Sequence, residues 1–295
     1  MKEHFDTFII GQPSLDINTD FGGDTIKAFG GAVVFSGYAA GAMGHKVAVL
    51  PKANLAEVDV VDMFKAAKNV TVFPVDSTHS TSISNVYHTA DRERRTCKAI
   101  GQIDPYTVSD IPDVDASIYH LAGLMKGDLS NELIKYAASK AKAAVDVQCL
   151  LRCVEGDGDM VFHDWAEKKE ILPYITFLKT DAAEAEILTG TADREAAIHQ
   201  LYDWGAKEVM ITHNTEVMVY DGNKIYTTPI KSRNLTGRTG RGDTTFAGYI
   251  TERLNNDVPT ALLYATALVS LKMETPGPFQ GTREDVEAYI GEFYK

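Results

Sequence analysis

Short apolar runs of strand length alternate with longer stretches of helical period along most of this 295-residue chain. Residues 5–11, Phe5-Asp6-Thr7-Phe8-Ile9-Ile10-Gly11, read as a buried strand ending in a turn. The Ala- and Gly-rich segment 30–44 reads as a tightly packed helix, and 46–50 as the next strand. Polar and β-favouring residues then alternate over 80–88 and over 95–100, on either side of the charged turn Asp91-Arg92-Glu93-Arg94. This pattern predicts a hairpin outside the main sheet.

From about residue 116 the order is strand, helix, strand, helix. Strands are expected at 116–121, 142–147, 174–178, 209–212, 217–220 and 224–228, the last two joined by Asp221-Gly222-Asn223. Helices are expected at 129–139, 163–171, 182–188, 195–204, 244–253, 261–273 and 283–293. Such alternation predicts an α/β fold, a mainly parallel sheet with helices on both faces. Ligands of these sheets lie beyond the carboxyl ends of the strands. Gly11, Asp146, Lys179 and Thr212 fall at those ends. Neither an internal repeat nor a low-complexity linker interrupts the chain, so residues 1–295 read as a single domain.

Composition narrows the function classes. With 44% hydrophobic and 24% charged residues the chain is of ordinary globular type. Its net charge of −12 argues against a general nucleic-acid or anionic-membrane binder, because no basic surplus exists to neutralise phosphates. The opening residues carry no apolar signal region, and no run is long enough to span a bilayer. Cys97, Cys149 and Cys153 form no C-x-x-C pair and read as a reduced set, so a cytoplasmic location is expected. The histidines are scattered without ligand spacing.

Candidate chemistry concentrates in Gly237-Arg238-Thr239-Gly240-Arg241-Gly242-Asp243-Thr244-Thr245-Phe246. Gly240 and Gly242 let the backbone turn sharply and approach a ligand. A helix start follows, where N–H groups and the helix dipole favour an anion. Successive N–H groups in such a turn form a nest suited to phosphate oxygens. Asp243 at its mouth is a poor phosphate ligand but makes sense as a base that takes a proton from an attacking hydroxyl. The plainer alternative is a loop with an Asp N-cap.

This stretch resembles the second signature of the ribokinase/PfkB-type carbohydrate kinases, usually D-T-x-G-A-G-D followed by a helix. The resemblance implies a three-layer ribokinase-like fold with a small β lid, formed here by segments at about 13–28 and 80–100. It makes Asp243 the catalytic base and Gly240, Arg241 and Gly242 the anion hole. It implies ATP and Mg²⁺ as well. The family's leading Asp is Gly237 here, which puts its monovalent-cation site in question. Arg241 stands for the family's Ala and places a guanidinium near the phosphates.

Other positions follow from the same resemblance. Asp16, otherwise a turn residue, would bind acceptor hydroxyls. Gly30 and Gly31 look like the glycine pair that lets the acceptor approach. Phe35 stands where an Asn often recognises ribose, which argues against ribokinase itself. Lys179-Thr180-Asp181-Ala182-Ala183-Glu184 resembles N-x-x-E and would organise Mg²⁺ through water by Asp181 and Glu184, although acids at a helix start also simply favour the dipole. Lys179, Thr212 and Asn214 would lie beside the nucleotide, with Asn214 and Val217 replacing glycines. Arg92, Arg94 and Arg95 either solubilise the hairpin or clamp phosphate as part of the lid. Tyr87 and Arg95 would contact the acceptor.

The expectation is therefore an ATP-dependent kinase acting on a hydroxyl of a small sugar, inositol-like polyol or nucleoside. A nucleoside kinase is the rival within the enzyme class. A catalytically silent sugar- or nucleotide-binding regulator is the rival outside it. The departures at Gly237, Asp181, Asn214 and Val217 favour that silent reading, and the intact Gly240, Gly242 and Asp243 oppose it. Lid hairpins that pair between subunits would give a homodimer.

Overall fold

The computed structural model describes residues 3–89 and 94–295. Arg92 and most of the expected charged turn lie outside the described residues. The chain begins with strands β1 (His4–Gly11), β2 (Ser14–Thr19) and β3 (Thr25–Gly30), then helix α1 (Ala32–Ala42). Strands β4 (Val47–Ala53), β5 (Val70–Val72), β6 (Val75–Asp76), β7 (Thr81–Tyr87) and β8 (Arg95–Gly101) follow. Next come β9 (Asp115–Leu121), α2 (Asn131–Lys140), β10 (Lys142–Asp146), α3 (Gln148–Leu151), β11 (Arg152–Glu155), β12 (Asp159–Phe162) and α4 (Lys168–Ile171). The last part holds β13 (Phe177–Asp181), α5 (Ala182–Thr189), α6 (Arg194–Asp203), β14 (Glu208–Thr212), β15 (Glu216–Tyr220), β16 (Ile225–Pro229), α7 (Arg241–Glu252), α8 (Val258–Lys272) and α9 (Arg283–Phe293).

One ten-stranded sheet runs in the order β16-β15-β14-β13-β10-β9-β1-β4-β5, with β6 beside β4. Its pairings are parallel from β14 to β5 and antiparallel from β14 through β16. Strands β4 and β14 are buried at every residue, the signature of a parallel sheet covered on both sides. Alternate side chains supply the two cores. Ile10, Leu50, Val145 and Ile211 pack with Leu133, Leu188 and Ile198 from α2, α5 and α6. On the opposite face Ile9 and Val49 meet α1, while Ala144 and Met210 meet Phe246 and Leu262 from α7 and α8. The molecule is thus a three-layer α/β fold.

A second sheet of six strands, in the order β11-β12-β8-β7-β2-β3, lies apart from the first. It contains both segments expected for a lid. It also contains the hairpin β11–β12, which the sequence pattern did not reveal because its four-residue strands alternate only weakly. Burial alternates along β7, so one face of this sheet is covered and the other is open.

Three expected elements are corrected. The helix at 163–171 is only α4, because the chain is still closing the β11–β12 hairpin through the His163 N–H to the Leu151 carbonyl. The strand at 174–178 instead spans Phe177–Asp181, since Pro173 sits in a short 3₁₀ turn, Leu172–Tyr174, that delays it. The helix expected at 244 begins earlier, at Arg241, after Gly240 turns the chain at φ 77°.

Candidate active site

Parallel strands end on one edge of the main sheet, and the second sheet stands over that edge. Between them lies a cleft of about 550 Å³. Its floor is built from Asp146 at the end of β10, Lys179 and Asp181 from β13, Thr212 from β14, and Asn214 just beyond. The first turn of α7 contributes Arg241, Gly242 and Asp243, with Gly240 before it. The second sheet contributes Asp16, Asn85, Tyr87 and Arg95.

Twelve of the fourteen residues singled out from sequence therefore line one cleft: Asp16, Gly31, Tyr87, Arg95, Lys179, Asp181, Thr212, Asn214, Gly240, Arg241, Gly242 and Asp243. The other two stand behind it. Gly30 ends β3, and a side chain there would come within 2.9 Å of Asp16 Oδ2. Glu184 is buried on α5 and caps Asp181: its Oε2 accepts from the Asp181 N–H at 2.8 Å, and Asp181 Oδ1 accepts from the Glu184 N–H at 2.8 Å. The second oxygen of each carboxylate stays outside this pair of bonds. That donor set fits a hydrated Mg²⁺ shared with phosphate oxygens.

The helix start has anion-binding character. The Arg241 N–H goes to the Arg238 carbonyl and the Thr244 N–H to that of Gly240. The Gly242 and Asp243 amides lie between them, in the turn whose N–H groups have no carbonyl partner within the helix. Burial pushes the Asp243 carboxyl up to about 6; Asp146 adds to the rise, and Lys179, Arg152 and Lys272 oppose it. Lys179 donates to Asp146 Oδ2 at 2.8 Å. Burial lowers its pKa, but Asp146, Glu184 and Asp181 outweigh burial and hold the ammonium above its ordinary range. Burial likewise raises Glu184 to about 7 against the pull of Lys179. Asn214 Oδ1 accepts from Arg241 Nη1 at 2.8 Å and from Arg238 Nη2 at 3.2 Å.

On the lid side, Ser14 Oγ donates to Asp16 Oδ1 at 2.8 Å. Burial raises the Asp16 carboxyl, while Ser14, Arg95 and Arg152 pull it down. The Arg95 guanidinium lies 6.0 Å from the centre of the Tyr87 ring. Arg152, which no sequence motif marks, lines the cleft and donates to Gln148 Oε1 at 2.7 Å. Lys272 was also missed. It is buried at the end of α8 with its ammonium 4.9 Å from the centre of the Phe35 ring. Its one sequence signal is a charge at the close of the apolar run 261–271.

The departures at 35 and 237 have local causes. A side chain at Gly240 would fall 2.2 Å from the Phe35 ring, so that ring packs directly on the turn before α7. A Cβ at Gly237 would lie 1.9 Å from the Thr275 carbonyl oxygen, which leaves no room for the family's Asp.

Comparison with known proteins agrees with this architecture. The family pattern described as pfkB family carbohydrate kinase matches residues 63–284. The chain belongs to that family. A solved pyrophosphate-dependent kinase of the ribokinase family, in complex with sulfate, is 33% identical with a TM-score of 0.87, covering 96% of this chain and 99% of that one. A structure described as a pyrophosphate-dependent kinase with a pyrophosphate analogue and myo-inositol is 32% identical with a TM-score of 0.86, over 96% and 99% of the two chains. A cytidine kinase of Thermococcus kodakarensis is 34% identical over 85 residues; that match spans 28% of this chain and 31% of the length of that kinase.

Proposed function

We propose that the protein transfers a phosphoryl group to a hydroxyl of an inositol-like polyol, with Asp243 as general base. The observation that carries this reading is the half-buried Asp243 carboxyl, raised to about 6, on a helix start of anion-binding character that shares one cleft with residues of the second sheet. A base with a pKa near working pH is the most effective proton acceptor. Asp243 takes the hydroxyl proton as the hydroxyl oxygen attacks the terminal phosphorus. The bond from that phosphorus to its bridging oxygen breaks, and the leaving phosphate departs with the electron pair. Amides at Gly240 and Gly242 and the Arg241 guanidinium offset the charge that spreads over the transferring group. Asp16 accepts hydrogen bonds from acceptor hydroxyls, Gly30 and Gly31 let the ring approach, and Tyr87 and Arg95 close over it.

Pyrophosphate is the donor this reading favours over the ATP implied by family resemblance. The two solved relatives are described as pyrophosphate-dependent. Arg238, Arg241 and Lys179 also gather with Thr212 and Asn214 on the donor side, where inorganic phosphates carry all of a donor's charge. Asp181 and Glu184 would hold Mg²⁺ through water on the donor oxygens, and the bound ion would offset their charge. The match to a cytidine kinase supports a second reading, a nucleoside as acceptor.

The whole chain functions as one domain in this proposal, with the second sheet as its lid. The exposed side chains of Phe21, Ile26 and Phe29 beside and along β3 support pairing of two lids in a homodimer. Among the described residues no helix is long and apolar enough to cross a membrane. Three unpaired thiols support a cytoplasmic setting.

The test is product release with pyrophosphate or ATP across inositols, pentoses, hexoses and nucleosides, with Asp243→Asn as control. The expected result is turnover of an inositol with pyrophosphate, lowered about 1000-fold in the variant with KM little changed. Turnover of nucleosides alone would replace this reading with the second one. Ligand binding without turnover of any pair would leave a silent binder.

A further inference from the structure

Lys272 poses a physical problem that the phosphoryl-transfer reading does not absorb. Its side chain is buried, yet its ammonium meets carbonyl oxygens rather than a carboxylate: Nζ donates to the carbonyls of Gly237 and of Thr239. The Phe35 ring covers it from another side. Burying an ammonium is costly unless its donors are satisfied. Carbonyl oxygens around a single positive charge are the coordination that proteins offer to a monovalent cation. The family resemblance implies such a cation, and the residues present do not fit one. The Asp that would balance its charge is absent, a side chain at Gly237 would strike the Thr275 carbonyl, and the carbonyls already hold an ammonium.

We propose that Lys272 is a tethered cation that replaces a free monovalent ion and fixes the direction of the anion-binding loop. A trans peptide is planar, so its C=O and N–H point in opposite directions. Holding the Thr239 carbonyl on Lys272 turns the Gly240 N–H the other way, toward the cleft that Thr239 and Gly240 line. The Gly237 carbonyl does the same for the Arg238 N–H. Lys272 thereby acts as a positioning residue through the loop. Burial lowers its ammonium to about 8 and Asp243 opposes that fall, so the charge is retained at neutral pH.

This inference rests on the reading of the 237–243 loop as a phosphate site, and its test separates the two. Pyrophosphate binding to the purified protein is measured by calorimetry, and turnover beside it, in potassium, ammonium or tetramethylammonium buffers. The expected wild-type result is the same affinity in all three, because the cation is built in. In Lys272→Met, affinity falls at least tenfold in tetramethylammonium and is recovered in ammonium or potassium, whose ions fit the vacated carbonyls. Where turnover is observed, kcat falls about 100-fold in the variant and follows the same rescue. A wild-type affinity that drops tenfold without potassium overturns the inference, and this arm needs no variant to fold. A folded Lys272→Met that binds as wild type, or that no small cation rescues, overturns it as well. Cation-independent pyrophosphate binding and rescue without turnover on any acceptor would sink the kinase reading and leave the tethered cation standing. Absence of any pyrophosphate binding would remove both.

Discussion

Asp243 ionises against burial and against Asp146, and with the help of Lys179, Arg152 and Lys272. As a general base it works only when ionised, so kcat should rise with pH through about 6 and level off above it; a flat profile from pH 5 to 8 would remove Asp243 from the proton transfer. The same shift bears on stability. The folded-state pKa lies above the ordinary value of 3.8, so the native state holds this proton more tightly than the unfolded chain. Its contribution is favourable below about pH 4 and is lost as pH rises through 6. Asp243→Asn should therefore stabilise the fold at pH 7 to 8 by on the order of 2 kcal/mol, seen as a higher melting temperature, while lowering turnover. The calorimetric comparison is clean because a merely structural Asp would destabilise on replacement. Residues that make contact through local sequence were legible: Gly240, Gly242 and Asp243 share one turn, and Asp181 and Glu184 share one cap. Lys272 and Arg152 were not, since Arg152 reaches the cleft, and Lys272 the carbonyls of the loop before α7, from elements whose sequence carries no motif, and only tertiary packing brings them there.

At the scale of elements, the turn into α7 decides the site. Gly240 adopts φ 77° and lies against the Phe35 ring of α1, so two helices and the anion loop are locked at one point. Gly240→Ala combines a left-handed backbone with a clash against an aromatic ring. Its expected effect is a loss of about 2 kcal/mol in stability together with a fall in kcat larger than any change in acceptor KM. Thermal melts and steady-state kinetics on the same preparation check both. Long, uninterrupted elements such as β1, α1 and α9 were readable from composition and pattern. Those that failed had competing local causes: Pro173 shortened the start of β13, and the closing hairpin displaced the helix expected at 163. The β11–β12 hairpin was unreadable because its strands are short and half exposed, so hydrophobic pattern says little about them.

For the whole molecule, the outer strand β3 of the second sheet is exposed along most of its length, with Phe29 on one face, Ile26 on the other and Phe21 in the adjoining turn. Large apolar side chains left exposed along an edge strand are the usual mark of a contact surface. Phe29→Asp should convert a dimer to monomer in sedimentation measurements while leaving the fold intact; a wild-type monomer at micromolar concentration would rule out lid pairing.

The second sheet is stitched from three separate excursions of the chain, β2–β3, β7–β8 and β11–β12, and the groups proposed to handle phosphate sit instead on the main sheet and α7. If the proposed function holds, acceptor choice and phosphate chemistry are written in different stretches of the same gene. Under the proposed function, a substitution at Asn85 alters the wall that meets the acceptor while the turn that holds Asp243 keeps its own supports, whereas Arg152 bears on both, because its charge also favours the ionised Asp243. On that reading a lineage with this plan tries new acceptors one excursion at a time, most freely at positions whose charge does not reach Asp243.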